Sequence, residues 1–222
     1  SGSQNTATGY FALFLNTSGI ANTANGASAL SSDNSGSYNT ATGASALLAN
    51  TSGNFNTATG LNALASNKTG NENTAMGTDA MRQNIGGYSN VAIGTQALRY
   101  NINSSNLVAV GDSALSNNTG IRNTALGSKT LYENLTGTNT TATGYVALQN
   151  NTTGEYNTAH GAGALFNNKA GSNATALGYG AMLFANNTTA PFTNYNVAVG
   201  FEALRGSGTA GNNTGNYNTA LG

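Results

Sequence analysis

The sequence predicts an all-β fold, a parallel β-solenoid (β-roll) of about twelve 17-residue coils running as one continuous repeat array over residues 1–222. Three observations predict it. A glycine closing the phrase "NTATG" recurs at Gly9, Gly26, Gly43, Gly60, Gly77, Gly94 and Gly111, always seventeen residues apart. Two residues before it stands alanine in every copy, from Ala7 to Ala220, and four residues after it stands Leu or Met, from Leu13 through Met81 and Met182 to Leu204. Finally, the seven basic and seven acidic residues all lie outside these columns. A disordered low-complexity tract has no interior to keep free of charge, so this distribution implies coils with an inside.

Within one copy the elements follow in order. "NTATG" is short, Thr-rich and alternating, which suits a β-strand closed by a glycine bend. The next half, "GxxALxxN", is ambiguous, because Ala and Leu three and four residues after the glycine also fit one turn of helix. Strand-plus-helix solenoids use roughly 20 or more residues per repeat, so the shorter period favours an all-β coil. "NTSG", "NKTG" and "NTTG" read as turns, since Asn bonds nearby backbone and Gly accepts positive φ. One coil cannot bury a core alone. Coils stacked about 4.8 Å apart can, and twelve intervals would span roughly 58 Å.

Length variation is confined to one part of the repeat. After Gly111 the steps continue through Gly127, Gly144, Gly161 and Gly178, one of them sixteen residues long, and two steps of twenty-two then reach Gly200 and Gly222. The added residues fall between the "AL" pair and the next "NTA": "TTAPF", with the only proline, Pro191, and "GSGTAG" around Gly208. Longer surface loops are therefore expected near 186–194 and 205–213. "SGSQN" at 1–5 is in register with "SGSYN" at 35–39, the chain stops at Leu221-Gly222 within a coil, and neither end carries a capping segment. The expectation is a segment of a longer fibre.

Composition narrows the function classes. The chain is 38% hydrophobic and 6% charged, with zero net charge and no cysteine. Nothing in it forms a basic patch, so neither nucleic acid nor an anionic membrane surface is an expected partner. Disulfide and thiol chemistry are absent with the cysteines. The longest apolar stretches, such as Phe11 to Leu15, fall far short of the roughly 20 residues that cross a bilayer, so no direct membrane insertion of this segment is expected.

"NVAIG" at 90–94, "LVAVG" at 107–111 and "NVAVG" at 196–200 resemble the head repeat of trimeric autotransporter adhesins, the YadA-like head. The Thr-rich form, "NTATGYxALxxNTTG", resembles repeats of bacterial and phage tail-fibre-type proteins. The resemblance covers the whole chain on a few positions per copy. It implies a parallel β-roll, three chains side by side, and attachment to a surface glycan or protein receptor, hence an extracellular, cell-surface or virion (tail-fibre) location. The chain departs from the adhesin head in its longer period and in Thr at many core Val/Ile positions.

A homotrimer with lateral chain packing is also expected on separate grounds. Residues i and i+2 of a strand share a face, so Thr6 and Thr8 look one way while Ala7 looks the other. The second face carries no Lys, Arg, Asp or Glu in any copy, which packing against identical neighbours explains.

No catalytic, cofactor or metal site is expected. His160, the only histidine, occupies a variable strand position held elsewhere by Thr, Leu or Val. Asp33, Glu72, Asp79, Asp112, Glu133, Glu155 and Glu202 are scattered over different repeat positions, whereas acid–base and metal chemistry need converging groups. Asn-x-Ser/Thr triplets at Asn16, Asn50, Asn67, Asn134, Asn151 and Asn187 suit glycan acceptors, but turn chemistry explains them better. Asn5, Asn22, Asn39, Asn56 and Asn73 form a column suited to a hydrogen-bonded ladder. Two aromatic sets stand at variable positions: Tyr10, Phe11, Phe14, Tyr145, Tyr179, Phe184 and Phe201, and, preceding the Asn, Tyr38, Phe55, Tyr88, Tyr156, Tyr195 and Tyr217. They serve packing between coils or contact with sugars and proteins. The functional expectation is thus a non-catalytic structural or adhesive fibre segment. An ice-binding solenoid is the alternative, because Thr6/Thr8, Thr40/Thr42, Thr57/Thr59 and Thr141/Thr143 form Thr-x-Thr pairs, although Asn25, Met76, Ile93, Val110, Leu126, Leu177 and Val199 break the rows.

Overall fold

The structure is a computed structural model that describes residues 2–185, 187–209 and 215–222. Every regular element among them is a β-strand, and no helix is present. The chain forms two compact units, Ser1–Leu107 and Val108–Gly222, each a parallel β-solenoid.

The invariant alanine lies at the centre of a three-residue strand in each turn. In the first unit these are β1 (Thr6–Thr8), β2 (Thr23–Asn25), β3 (Thr40–Thr42), β4 (Thr57–Thr59), β5 (Thr74–Met76) and β6 (Val91–Ile93). They pair in chain order, all parallel, with Ala41 opposite Ala58 and Ala75 opposite Ala92. In the second unit the same position gives β7 (Val108–Val110), β8 (Thr124–Leu126), β9 (Thr141–Thr143), β10 (Thr158–His160), β12 (Thr175–Leu177), β14 (Val197–Val199) and β15 (Thr219–Leu221). Two further two-residue strands, β11 (Gly171–Ser172) and β13 (Phe192–Thr193), pair in parallel beside them. The expected loop near 186–194 thus contains a strand of its own; residues 210–214 of the second expected loop lie outside the described residues.

The core is narrow and built from few residue types. Strand alanines such as Ala41, Ala58 and Ala92, and "AL" pairs such as Ala46–Leu47 and Ala63–Leu64, are fully buried. The "AL" half is not helical. It is a run of turns in which alternate residues take left-handed φ: Asn62 at 55° and Leu64 at 52°, Asp79 at 57° and Met81 at 47°. A non-glycine residue there costs on the order of 1–2 kcal/mol. The conformation is held because it aims the leucine N–H at the next turn: Leu30 donates to Ala46, Leu47 to Ala63 and Leu64 to Ala80, at 2.9–3.0 Å. Burial of the leucine side chain adds about 1.5–3 kcal/mol per turn.

The marker glycine is explained by the same close stacking. Gly60 has φ 130°, and a Cβ there would lie 2.6 Å from the carbonyl oxygen of Gly77 on the next turn. Only a residue without a side chain fits. Thr130, the one exception in the alanine column before the leucine, is buried and donates its hydroxyl to the Gly144 carbonyl at 2.6 Å.

Two asparagine ladders complete the interior. In the "NTA" column each side-chain oxygen accepts the next turn's backbone N–H: Asn5 from Asn22, Asn22 from Asn39, Asn39 from Asn56 and Asn56 from Asn73, at 2.8–3.0 Å. The amide nitrogens of this column reach sideways to turn carbonyls, as Asn56 does to Gly70 at 2.8 Å. A second ladder runs through the "NxTG" turns, where the Asn67 amide donates to Asn50 Oδ1 at 2.9 Å and to the Gly70 carbonyl at 3.0 Å. The sixteen-residue turn loses its residue inside this motif, between Asn118 and Gly120. The ladder survives there, with Asn134 donating to Asn118 Oδ1 at 2.7 Å.

Candidate functional site

With the invariant side chains turned inward, function falls to what the turns present outward. The first such surface is the outer face of the strands. Its residues alternate with the buried alanines, so their direction is fixed by the two-residue strand period. On β5 and β6 Met76 pairs with Ile93, and both are exposed. On β12 and β14 Leu177 pairs with Val199, with Leu177 likewise exposed. Thr40, Thr42, Thr57 and Thr59 make one two-by-two block of threonines, with Asn25 on the turn before and Met76 on the turn after. His160 lies exposed on this face of β10.

Aromatic rings mark the second kind of surface. Tyr38 and Phe55 stack with planes 1° apart and centroids 5.0 Å apart, Tyr195 and Tyr217 at 5.0 Å, and Tyr179 and Phe201 at 5.4 Å. Each pair comes from consecutive turns, so the rings climb with the coil. They pack on one another and still leave about half or more of their surface to solvent.

Two grooves open between such rings. In the first unit a groove of about 460 Å³ is lined by Asn54, Phe55, Asn71, Glu72, Tyr88 and Ser89. Its floor is tied together across three turns: the Asn54 N–H donates to Asn71 Oδ1 at 2.9 Å, Glu72 N–H to the Asn54 carbonyl at 3.0 Å, and the Ser89 hydroxyl to Glu72 Oε2 at 2.9 Å. In the second unit an apolar groove of about 280 Å³ lies between Tyr145 and Tyr179. It opens because Gly163 and Gly180, at left-handed φ of 69° and 61°, stand where other turns carry side chains such as Ser45 or Asn62. That pair of glycines had a sequence signal, two departures in succession within one repeat position.

The acidic residues do not converge. Asp79 pairs with Arg82 at 3.8 Å and Arg99 at 3.6 Å, and Glu202 pairs with Arg205 at 3.2 Å. Glu133 accepts from the Asn117 amide, and Asp112 from the Ser113 hydroxyl. Among the described residues no three His, Asp or Glu side chains gather closely enough to hold a metal ion. Asp33 is fully buried inside the "NxTG" ladder, where Asn50 and Gly36 donate to its Oδ1 and Asn22 to its Oδ2. Burial pushes its carboxyl up from the ordinary 3.8 to about 6, against the Asn50 and Gly36 hydrogen bonds, which hold it down.

Four of the Asn-x-Ser/Thr asparagines, Asn50, Asn67, Asn134 and Asn151, are fully buried ladder members with amide nitrogens donating inside the coil. Asn16 is half-buried and bonded to Gly19 in the same way, and Asn187 is half-buried. In the folded protein the ladder asparagines are out of reach of a modifying enzyme.

No protein-family model matches the chain, and searches of curated proteins and of solved structures return no match. What the surface can do must come from its own geometry.

Proposed function

We propose that the chain is a structural and adhesive segment of an extracellular fibre, in which parallel copies pack as a trimer through their outer strand faces and the turns present binding surfaces. One observation carries this reading. The outward positions of the strands hold Thr, Val, Ile, Leu, Met, Asn and a single His, and no charged residue, although they are open to solvent in the single chain. Solvated surfaces are rich in Lys and Glu, and interface centres are depleted of them. The same arrangement supports a fibre, since identical turns extend length and present columns of side chains.

The test is the mass in solution. Sedimentation equilibrium is expected to give three times the 22.2 kDa chain mass at micromolar concentration. A single-chain mass throughout would overturn the trimer.

The threonine block on β3 and β4 favours a second reading, binding to ice through Thr-x-Thr rows. Only two consecutive turns supply complete pairs there, and exposed Met76 stands beside them. Thermal hysteresis at micromolar protein would establish this reading in place of the first; its absence is expected.

A further inference from the structure

We infer that the groove between Phe55 and Tyr88 is a binding site for a neutral pyranose sugar, with Phe55 as the stacking platform and Glu72 as the hydroxyl acceptor. The inference rests on the adhesive reading above and gives it a ligand class and a location.

Ring geometry comes first. Tyr38 covers one face of Phe55 from the preceding turn, with parallel planes, so the other face looks toward the following turn. There the column carries Glu72 instead of a third ring, and Phe55 is 59% exposed. Tyr88, 52% exposed, rises one turn further on. Tyr88 belongs to the neighbouring column, with Asn54 and Asn71, and lines the same groove as Phe55. A pyranose presents C–H groups on its faces and hydroxyls around its edge. Its face suits Phe55, and its edge then meets the carboxylate and amides of the floor.

The polar groups decide between ligand classes. Glu72 Oε2 is held by the Ser89 hydroxyl, which fixes the carboxylate, and among the described residues Glu72 has no ion-pair partner. An oriented carboxylate accepts two neighbouring hydroxyls through charge-assisted hydrogen bonds, roughly twice as strong as neutral ones. Asn54 is taken up by Ser37, Ser52 and Asn71, which leaves the Glu72 carboxylate and the second amide hydrogen of Asn71, beyond its bond to the Thr69 carbonyl at 3.0 Å, for a ligand; a quaternary ammonium would use the negative charge but neither of these hydrogen-bonding groups. An acidic sugar would be repelled by the same carboxylate. The volume, about 460 Å³, falls inside the roughly 300–1,000 Å³ of small-molecule sites. Neutral pyranosides with a vicinal diol fit all of these conditions.

The floor is also preorganised. Its backbone is hydrogen-bonded to both adjacent turns, Glu72 to Asn54 and Ser89 to Asn71 at 3.0–3.1 Å, so ligand binding orders only side chains.

Saturation-transfer NMR on the intact chain tests the site, using the methyl glycosides of glucose, galactose and mannose, with methyl glucuronide and tetramethylammonium as comparison probes. At least one neutral glycoside is expected to receive saturation. Phe55→Ala and Glu72→Gln should each weaken its binding about tenfold while a cooperative circular-dichroism melt is retained, because both side chains are exposed. The inference is overturned if no neutral glycoside binds at 20 mM (roughly the weakest affinity worth the name at this site), if both variants bind as the parent does, or if only tetramethylammonium or the glucuronide binds. Sedimentation of the same samples separates the two readings. A trimer without sugar binding sinks this site alone, and a sugar-binding single chain sinks the trimer alone.

Discussion

Leu64 shows how a residue adopts an expensive conformation because its neighbours leave no cheaper one. Its left-handed φ costs on the order of 1–2 kcal/mol, and it recurs at Leu30, Leu47 and Met81. Each is offset by a buried side chain and a hydrogen bond to the next turn. Asp33 presents the opposite case, a residue whose charge the surroundings resist. With the folded carboxyl near 6 and the unfolded one near 3.8, the folded state holds the proton more tightly. The contribution of Asp33 to stability is therefore greatest below about pH 4, falls as pH rises from about 4 to about 6, and is flat above. Asp33→Asn is expected to remove this slope and to raise the melting temperature at pH 7 relative to the parent. Melts recorded from pH 4 to 7 for both proteins check it.

At the scale of elements, the ladders do for the turns what backbone pairing does for the strands. The "NxTG" ladder in the second unit stops at Asn168, because the corresponding residue of the next turn is Ala185. The Asn168 side-chain oxygen is consequently buried without a partner. Ala185→Asn is expected to supply the missing donor and to stabilise the fold by about 1 kcal/mol, read as a higher urea midpoint at unchanged slope. The sequence carried much of this level openly. The invariant Ala and Leu columns located the interior, and the "NTA" asparagines located one ladder. The second ladder was masked because Asn in a turn has a sufficient local explanation, so its stacked role shows only once turns are superposed. Strand length was also hidden: the alternation in "NTATG" does not say that pairing stops after three residues. The left-handed leucines had no signal at all, since bulky residues rarely adopt that φ and only tertiary stacking imposes it. For the candidate sugar site, the aromatic positions were legible, whereas the role of Glu72 depends on which residues the turns bring together.

At the scale of the molecule, the outer strand face of each unit is uncharged and open to solvent in the single chain. Ile93→Lys puts a charge on this face of β6 without touching the core, as Ile93 is exposed. The thermal stability of the isolated chain should move by no more than about 0.5 kcal/mol. The concentration needed for assembly should rise about tenfold or more, because an unpaired charge would be buried at each interface. Sedimentation across a dilution series measures it. Lys68→Gln, at an exposed position outside the strands, serves as the control.

Turns of equal length carry a hazard that the irregular ones correct. Sliding one stretch by a whole period would set Thr40 against Thr74 in place of Thr57, and most alanines, leucines and asparagines would find an equivalent mate. Nothing in the regular turns penalises the mistake while the chain is folding. The sixteen-residue turn ending at Gly127 has no equivalent to slide onto, and the two of twenty-two that come later match only each other. They act as bookmarks, and a chain engineered to seventeen residues throughout would lose its place.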